Sequence, residues 1–107
     1  MNLLFESKNK KETFESFADT REAGAEKISN NAHKKGGLSL LTWHHFKVKL
    51  PYYKRAAAGK FDLDEAKREF DATYKKISTT MSQIEFQREV GRLEVLGELI
   101  IHEGRGT

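Results

Sequence analysis

Apolar residues recur at steps of three and four along nearly the whole chain, and no run alternates apolar with polar for the length of a useful strand. Phe14, Phe17, Ala18, Ala25, Ile28 and Ala32 form one such run, and Leu40, Trp43, Phe46, Leu50, Tyr53 and Ala57 a second. Leu63, Ala66, Phe70, Tyr74 and Ile77 form a third, and Phe86, Val90, Leu93, Leu96 and Ile100 a fourth. A chain patterned in this way buries its apolar stripes helix against helix. It is expected to be an all-α, single-domain bundle of four to five helices, which a length of 107 residues permits.

The punctuation agrees with the periodicity. His33, Lys34 and Lys35 precede Gly36-Gly37, so cations occupy the last turn and glycines supply the stop. Gly59 is a second stop. Asp62 with Glu65, and Ser82 with Glu85, have the spacing of capping boxes. Ser39 or Thr42 is the expected cap of the second run. Within the first run, Gly24 weakens a continuous helix and Asp19-Thr20 offers a second start, so one long helix or two shorter ones fit. Pro51 either kinks one helix over about 40 to 58 or opens a second, and the preserved phase favours the kink. The segments on either side of the helices read as a loose arm over residues 1 to 12 and a tail over 104 to 107, with the helical domain over 13 to 103.

The last run, from about 83 to 102, is apolar on more than one side. Val95 and Leu99 lie off its main face, and Ile101 widens the stripe. Such a helix is either central in the core or shared with a partner, in which case Val95 and Leu99 would mark a homodimer or adaptor face. Gly91 and Gly97 would let another helix come close. Trp43, Phe46, Phe70, Val90, Leu93 and Leu96 are the expected shared core.

Charge is segregated along the chain. From Lys27 to Phe61 there is no Asp or Glu, and eight fixed cations fall in that stretch: Lys27, Lys34, Lys35, Lys47, Lys49, Lys54, Arg55 and Lys60. The flanks net −2 and −3, against +3 for the whole. The same stretch holds the one Trp, the one Pro, Tyr52 and Tyr53, and His33, His44 and His45. Polyanions are held by concentrated cations, and single strands also by exposed flat rings. The polyanion-binding residues expected on this basis are Lys34, Lys35, Lys47, Lys49, Tyr52, Lys54, Arg55 and Lys60, with Tyr52 as the stacking group. The competing reading is a basic face that balances the acidic helices on either side.

Other chemistry finds little to work with. The absence of cysteine removes disulfides, thiolate metal sites and Cys nucleophiles. His44 and His45 are adjacent and point about 100° apart on a helix, so they do not share an ion, and no HExxH is present. Lys34-Lys35-Gly36-Gly37 lacks the P-loop pattern and reads as a helix stop. The acids from Asp62 to Asp71 open a helix, where acids suit the dipole without any catalytic role. No helix-turn-helix, zinc finger, RRM or EF-hand pattern appears. The expectation is a non-catalytic module without metal or cofactor. It would be cytoplasmic, since no leader or spanning segment is apparent, and would engage nucleic acid or an acidic protein surface rather than a membrane. The alternative is a protein–protein adaptor or small inhibitor working through the apolar C-terminal helix.

Overall fold

The computed structural model describes residues 13–77 and 81–104; the arm read over 1 to 12, the loop at 78 to 80 and positions 105 to 107 lie outside them. The described chain forms five helices: α1 (Phe14–Lys35), α2 (Ser39–Lys47), α3 (Leu50–Ala57), α4 (Leu63–Lys76) and α5 (Gln83–Gly104). Among the described residues there is no strand, and no helix is long and apolar enough to cross a membrane. The all-α bundle is therefore as expected.

Local chemistry accounts for most of the boundaries. The Thr13 hydroxyl accepts from the Ser16 N–H at 3.0 Å and starts α1, which then runs unbroken through Gly24. The internal start at Asp19-Thr20 is not used, because the cap one turn earlier and the buried stripe below it extend through that position. Gly36 and Gly37 take φ of 66° and 57°, a region costly for residues with a Cβ, and turn the chain back. α2 begins directly on that turn, with Ser39 N–H bonded to the Gly36 carbonyl and Leu40 N–H to that of Gly37; neither Ser39 nor Thr42 caps it. Asp62 Oδ1 accepts from Glu65 N–H at 3.0 Å to open α4. At α5 the reciprocal box forms: Glu85 N–H donates to Ser82 Oγ at 3.1 Å, and Ser82 N–H donates to Glu85 Oε1 at 3.2 Å. α5 extends to Gly104, about half a turn beyond the expected end.

Pro51 opens α3 and does not kink a single helix, so the alternative that the preserved phase disfavoured is the one that forms. Val48 and Lys49 keep right-handed helical angles, and the Tyr52 and Tyr53 N–H groups both bond to the Lys49 carbonyl. Pro51 sits in the first turn of α3, where its missing N–H leaves no gap in the ladder. α2 and α3 thus act as one rod running back along α1, with His33 beside Trp43 at one end and Phe14 beside Phe61 at the other.

α5 lies across this rod, and α4 covers its other side. The deepest positions of α5 are Gly91, Val95, Leu96 and Leu99, with Val95 and Leu99 at 0% exposure. Val95 and Leu99 join Phe14, Phe17, Ala18, Ala25, Leu50, Tyr53 and Ala56 in the main core. This corrects two expectations. Val95 and Leu99 are interior to the chain's own fold and offer nothing to a partner helix. The expected core set is rotated: only Leu96 is fully buried, while Trp43, Phe46, Phe70, Val90 and Leu93 are half-buried. The physical reason is the close crossing at Gly91, where the missing side chain admits the His45 carbonyl and Val48. That crossing turns the 91–95–99 row toward α1 and the α2–α3 rod. Gly97 accommodates the Phe70 ring of α4 on the opposite side, as the expectation of close approach at both glycines requires.

Candidate functional site

Because α2 and α3 form one rod, the basic aromatic stretch acquires an inner and an outer face. Val48, Lys49, Leu50, Tyr53 and Ala56 are buried, whereas Lys47, Pro51, Lys54, Arg55 and Ala58 are exposed at steps of three and four. The periodicity that carries the apolar groups inward carries most of the charge outward.

The inner face is a polar ladder against α5. His45, Lys49 and Tyr53 step by four along the rod, and Glu94 and Glu98 step by four along α5. Lys49, only 7% exposed, donates to Glu94 and lies 4.7 Å from the Phe46 ring centre. His45 Nε2 is 3.1 Å from the same carboxylate. The Tyr53 hydroxyl donates to Glu98, whose other oxygen lies 3.4 Å from Arg21 Nε. Beside this ladder, the Tyr52 hydroxyl donates to Glu69 of α4 and accepts from Arg92 Nε at 2.9 Å. Arg92 also donates to Glu89 at 2.6 Å, and Lys76 reaches Glu89 at 3.5 Å. A buried cation without such a partner would be costly, so Lys49 and Glu94 hold each other in place.

Proton affinities follow from these contacts. Burial, and then donation to Glu69, push the Tyr52 hydroxyl up to about 12. Burial and donation to Glu98 push Tyr53 up as well. Burial raises Glu89, but hydrogen bonds and charge from Arg92 and Lys76 outweigh it and hold the carboxyl below its usual range. Glu94 is held down in the same way by Lys49 and His45 against its own desolvation. The two tyrosines have a consequence at high pH. A phenol with a raised pKa in the fold gives up its proton more readily when unfolded, so its stabilising effect is intact below about pH 10 and is lost as pH rises toward about 12. Melting temperature is expected to fall across that window, and Tyr52→Phe with Tyr53→Phe to flatten the fall. An equally steep loss in the double variant would show that other groups control alkaline unfolding.

The outer face holds what remains of the candidate set. Lys34 and Lys35 are exposed at the end of α1, Lys47 and Arg55 on the rod, and Lys60 in the turn after it. None of these five takes part in an ion pair among the described residues. Lys54 lies 3.9 Å from Glu22 with 69% of its side chain exposed, a loose surface pair of little energetic weight. Lys49 and Tyr52 leave the expected set: the first is buried on Glu94, and the second is held by Glu69 and Arg92 with the Arg55 guanidinium 5.4 Å over its ring. On the inner side of the rod the one buried lysine is thus balanced by Glu94 of α5.

Reading the sequence for cations alone missed Glu69, Glu94, Glu98 and Arg92, which organise this region. A signal existed in the matching four-residue steps of 45–49–53 and 94–98, once α5 is known to cross the rod. An open groove of about 740 Å³ beside the ladder is floored by Phe17, Ala25 and Phe46. The charges that line it, Arg21 with Glu98 and Lys49 with Glu94, already neutralise each other, so it presents no unbalanced charge to a ligand. Among the described residues no three His, Asp or Glu side chains converge as a metal set would. Comparison with protein-family models, with curated proteins and with solved structures returns no match for this chain.

Proposed function

We propose that this protein is a non-catalytic binding module whose α2–α3 rod docks on a polyanion, most simply nucleic acid, through Lys34, Lys35, Lys47, Arg55 and Lys60, with Lys54 able to leave Glu22 and join them. The observation that carries the reading is the sorting of charge on the rod. Lys49, the inward cation, is neutralised by Glu94, while the outward ones have no anionic partner among the described residues beyond the loose Lys54–Glu22 pair. Concentrated, solvated cations on one ridge attract a polyanion by releasing its condensed counterions. The adaptor reading through Val95 and Leu99 has lost its surface, since both are fully buried.

If each of the five unpaired cations meets one phosphate, log affinity should fall with log salt at a slope of about −4.5 on duplex. That amounts to a loss of roughly 500-fold between about 50 and 200 mM salt. Fluorescence anisotropy with labelled RNA, single-stranded DNA and duplex DNA across a salt series measures it. Arg55→Ala with Lys60→Ala should reduce the slope by about 1.8 and weaken all sequences alike. Failure of all three to bind at low salt would end the nucleic-acid reading.

A further inference from the structure

The Trp, Phe and Tyr rings of the basic stretch are engaged within the fold, while His33 is exposed. Trp43 is half-buried, with its ring 5.2 Å from His33 and 4.7 Å from His44. Phe46 is half-buried between His45, edge-on at 5.0 Å, and the Lys49 ammonium. Tyr53 is 3% exposed, and Phe61 packs against Phe14 at 5.1 Å. Tyr52 is tied through its hydroxyl to Glu69 and Arg92 and covered by Arg55. Among the described residues the exposed Tyr74 and Phe86 lie on α4 and α5 and not on the rod itself. Among the described residues the rod therefore carries cations outward with no exposed aromatic side chain beside them.

The rod is also held on two sides. The rod is pinned to α5 by the close crossing at Gly91 and by the Lys49–Glu94 and Tyr53–Glu98 contacts, and to α4 by Tyr52–Glu69. From Lys47 to its end at Ala57 the rod covers about 15 Å at helical rise; Lys60 follows in the next turn, and Lys34 and Lys35 lie in the last turn of α1.

We infer that the ligand of this ridge is double-stranded nucleic acid, bound through its phosphates without reading of bases; this rests on the polyanion reading above. Sequence-tolerant single-strand binders draw much of their affinity from base stacking, which this face does not offer. With only the phosphate interaction left, charge density decides. A duplex carries one charge per about 1.7 Å of axis, against about 3.4 Å for one strand. A helical ridge of about 15 Å faces roughly four base-pair steps of a stiff duplex, whereas a flexible strand must be ordered to lie along it. Contacts confined to phosphates carry no direct sequence information.

The test compares a labelled duplex of about 20 base pairs with each of its strands, and with homopolymer strands of equal phosphate number, across a salt series. The duplex is expected to bind more tightly than any strand and to be indifferent to base composition. Lys47→Gln, Arg55→Gln and Lys60→Gln together should lower the salt slope by about 2.7 while leaving the circular dichroism unchanged. Tyr52→Phe should leave affinity and slope unaltered. Tighter binding of single strands, with base preference or quenching of Trp43 fluorescence, would overturn the duplex inference and leave the polyanion reading standing. No binding of duplex or strands at low salt would overturn both. Binding confined to phosphatidylserine vesicles would overturn the duplex inference and the choice of nucleic acid, and make an anionic bilayer the polyanion.

Discussion

Gly91→Ala is expected to destabilise the fold by about 2 kcal/mol, although alanine is the better helix former. In an open helix the exchange gains up to about 1 kcal/mol. At position 91 the new Cβ would overlap the His45 carbonyl oxygen and stand 2.8 Å from Val48 Cγ1. The obstacle is backbone, so no rotamer change relieves it. The α2–α3 rod must move away from α5, which strains the Lys49–Glu94 and Tyr53–Glu98 contacts. Overpacking of this kind costs about 1–3 kcal/mol and occasionally more, enough to outweigh the propensity gain. Two other glycines serve as controls in the same denaturant titration. Gly24 has nothing within 4 Å of an added Cβ, so Gly24→Ala should stabilise by about 0.5–1 kcal/mol. Gly97 faces only the Phe70 ring edge at 3.4 Å, and its exchange should be near neutral. A Gly91→Ala protein as stable as the parent would mean that the helices do not cross this closely.

The contrast among these glycines shows which parts of the fold could be read in advance. Helix starts at Asp62 and at Ser82 with Glu85 were legible because a cap is a contact three residues long, and both appear as hydrogen bonds of 3.0 to 3.2 Å. The helical kind of the elements and a count of four to five followed from spacing, while the break at Pro51 did not. The phase of each helix did not, because counting apolar residues assigns burial to the largest ones. Ile28 is 43% exposed while its neighbour Ser29 is 1% exposed, with its hydroxyl returned to the Glu26 carbonyl. Tyr74 is 66% exposed while Thr73 is buried. Small or self-satisfied residues at 29, 73 and 91 let helices approach, and the bulky residue one step away is left outside. The candidate site was legible to the same depth. That charge was concentrated over 27 to 61 was plain from the chain. Which cations face inward depended on Glu94 and Glu98, more than 40 residues away in sequence, and on the crossing that Gly91 sets.

Leu99→Ala should cost about 2–5 kcal/mol, the range for emptying a buried leucine site, and should exceed the cost of Leu93→Ala by at least about twofold. Leu99 is at 0% exposure within the cluster that joins Phe14, Phe17, Leu50, Tyr53 and Val95. Its removal leaves a void lined by three helices that are already fixed by the Gly91 crossing and the polar ladder, so little collapse can offset the loss. Leu93 is half-buried and gives up less transferred surface. Ile101, at 59% exposure on the same helix, should tolerate alanine within about 0.5 kcal/mol. The ordering Leu99 over Leu93 over Ile101 separates a monomer core from a dimer seam. If Val95 and Leu99 sealed two copies together, the melting temperature would rise with protein concentration and truncation would abolish the rise. A core inside one chain predicts a melting temperature independent of concentration, in the parent and in Leu99→Ala alike. Urea titrations of the three variants, repeated over about a 100-fold range of concentration, distinguish the two. A Leu93→Ala protein less stable than Leu99→Ala would place the rotation of α5 closer to the Phe86, Val90 and Leu93 face than the structure has it.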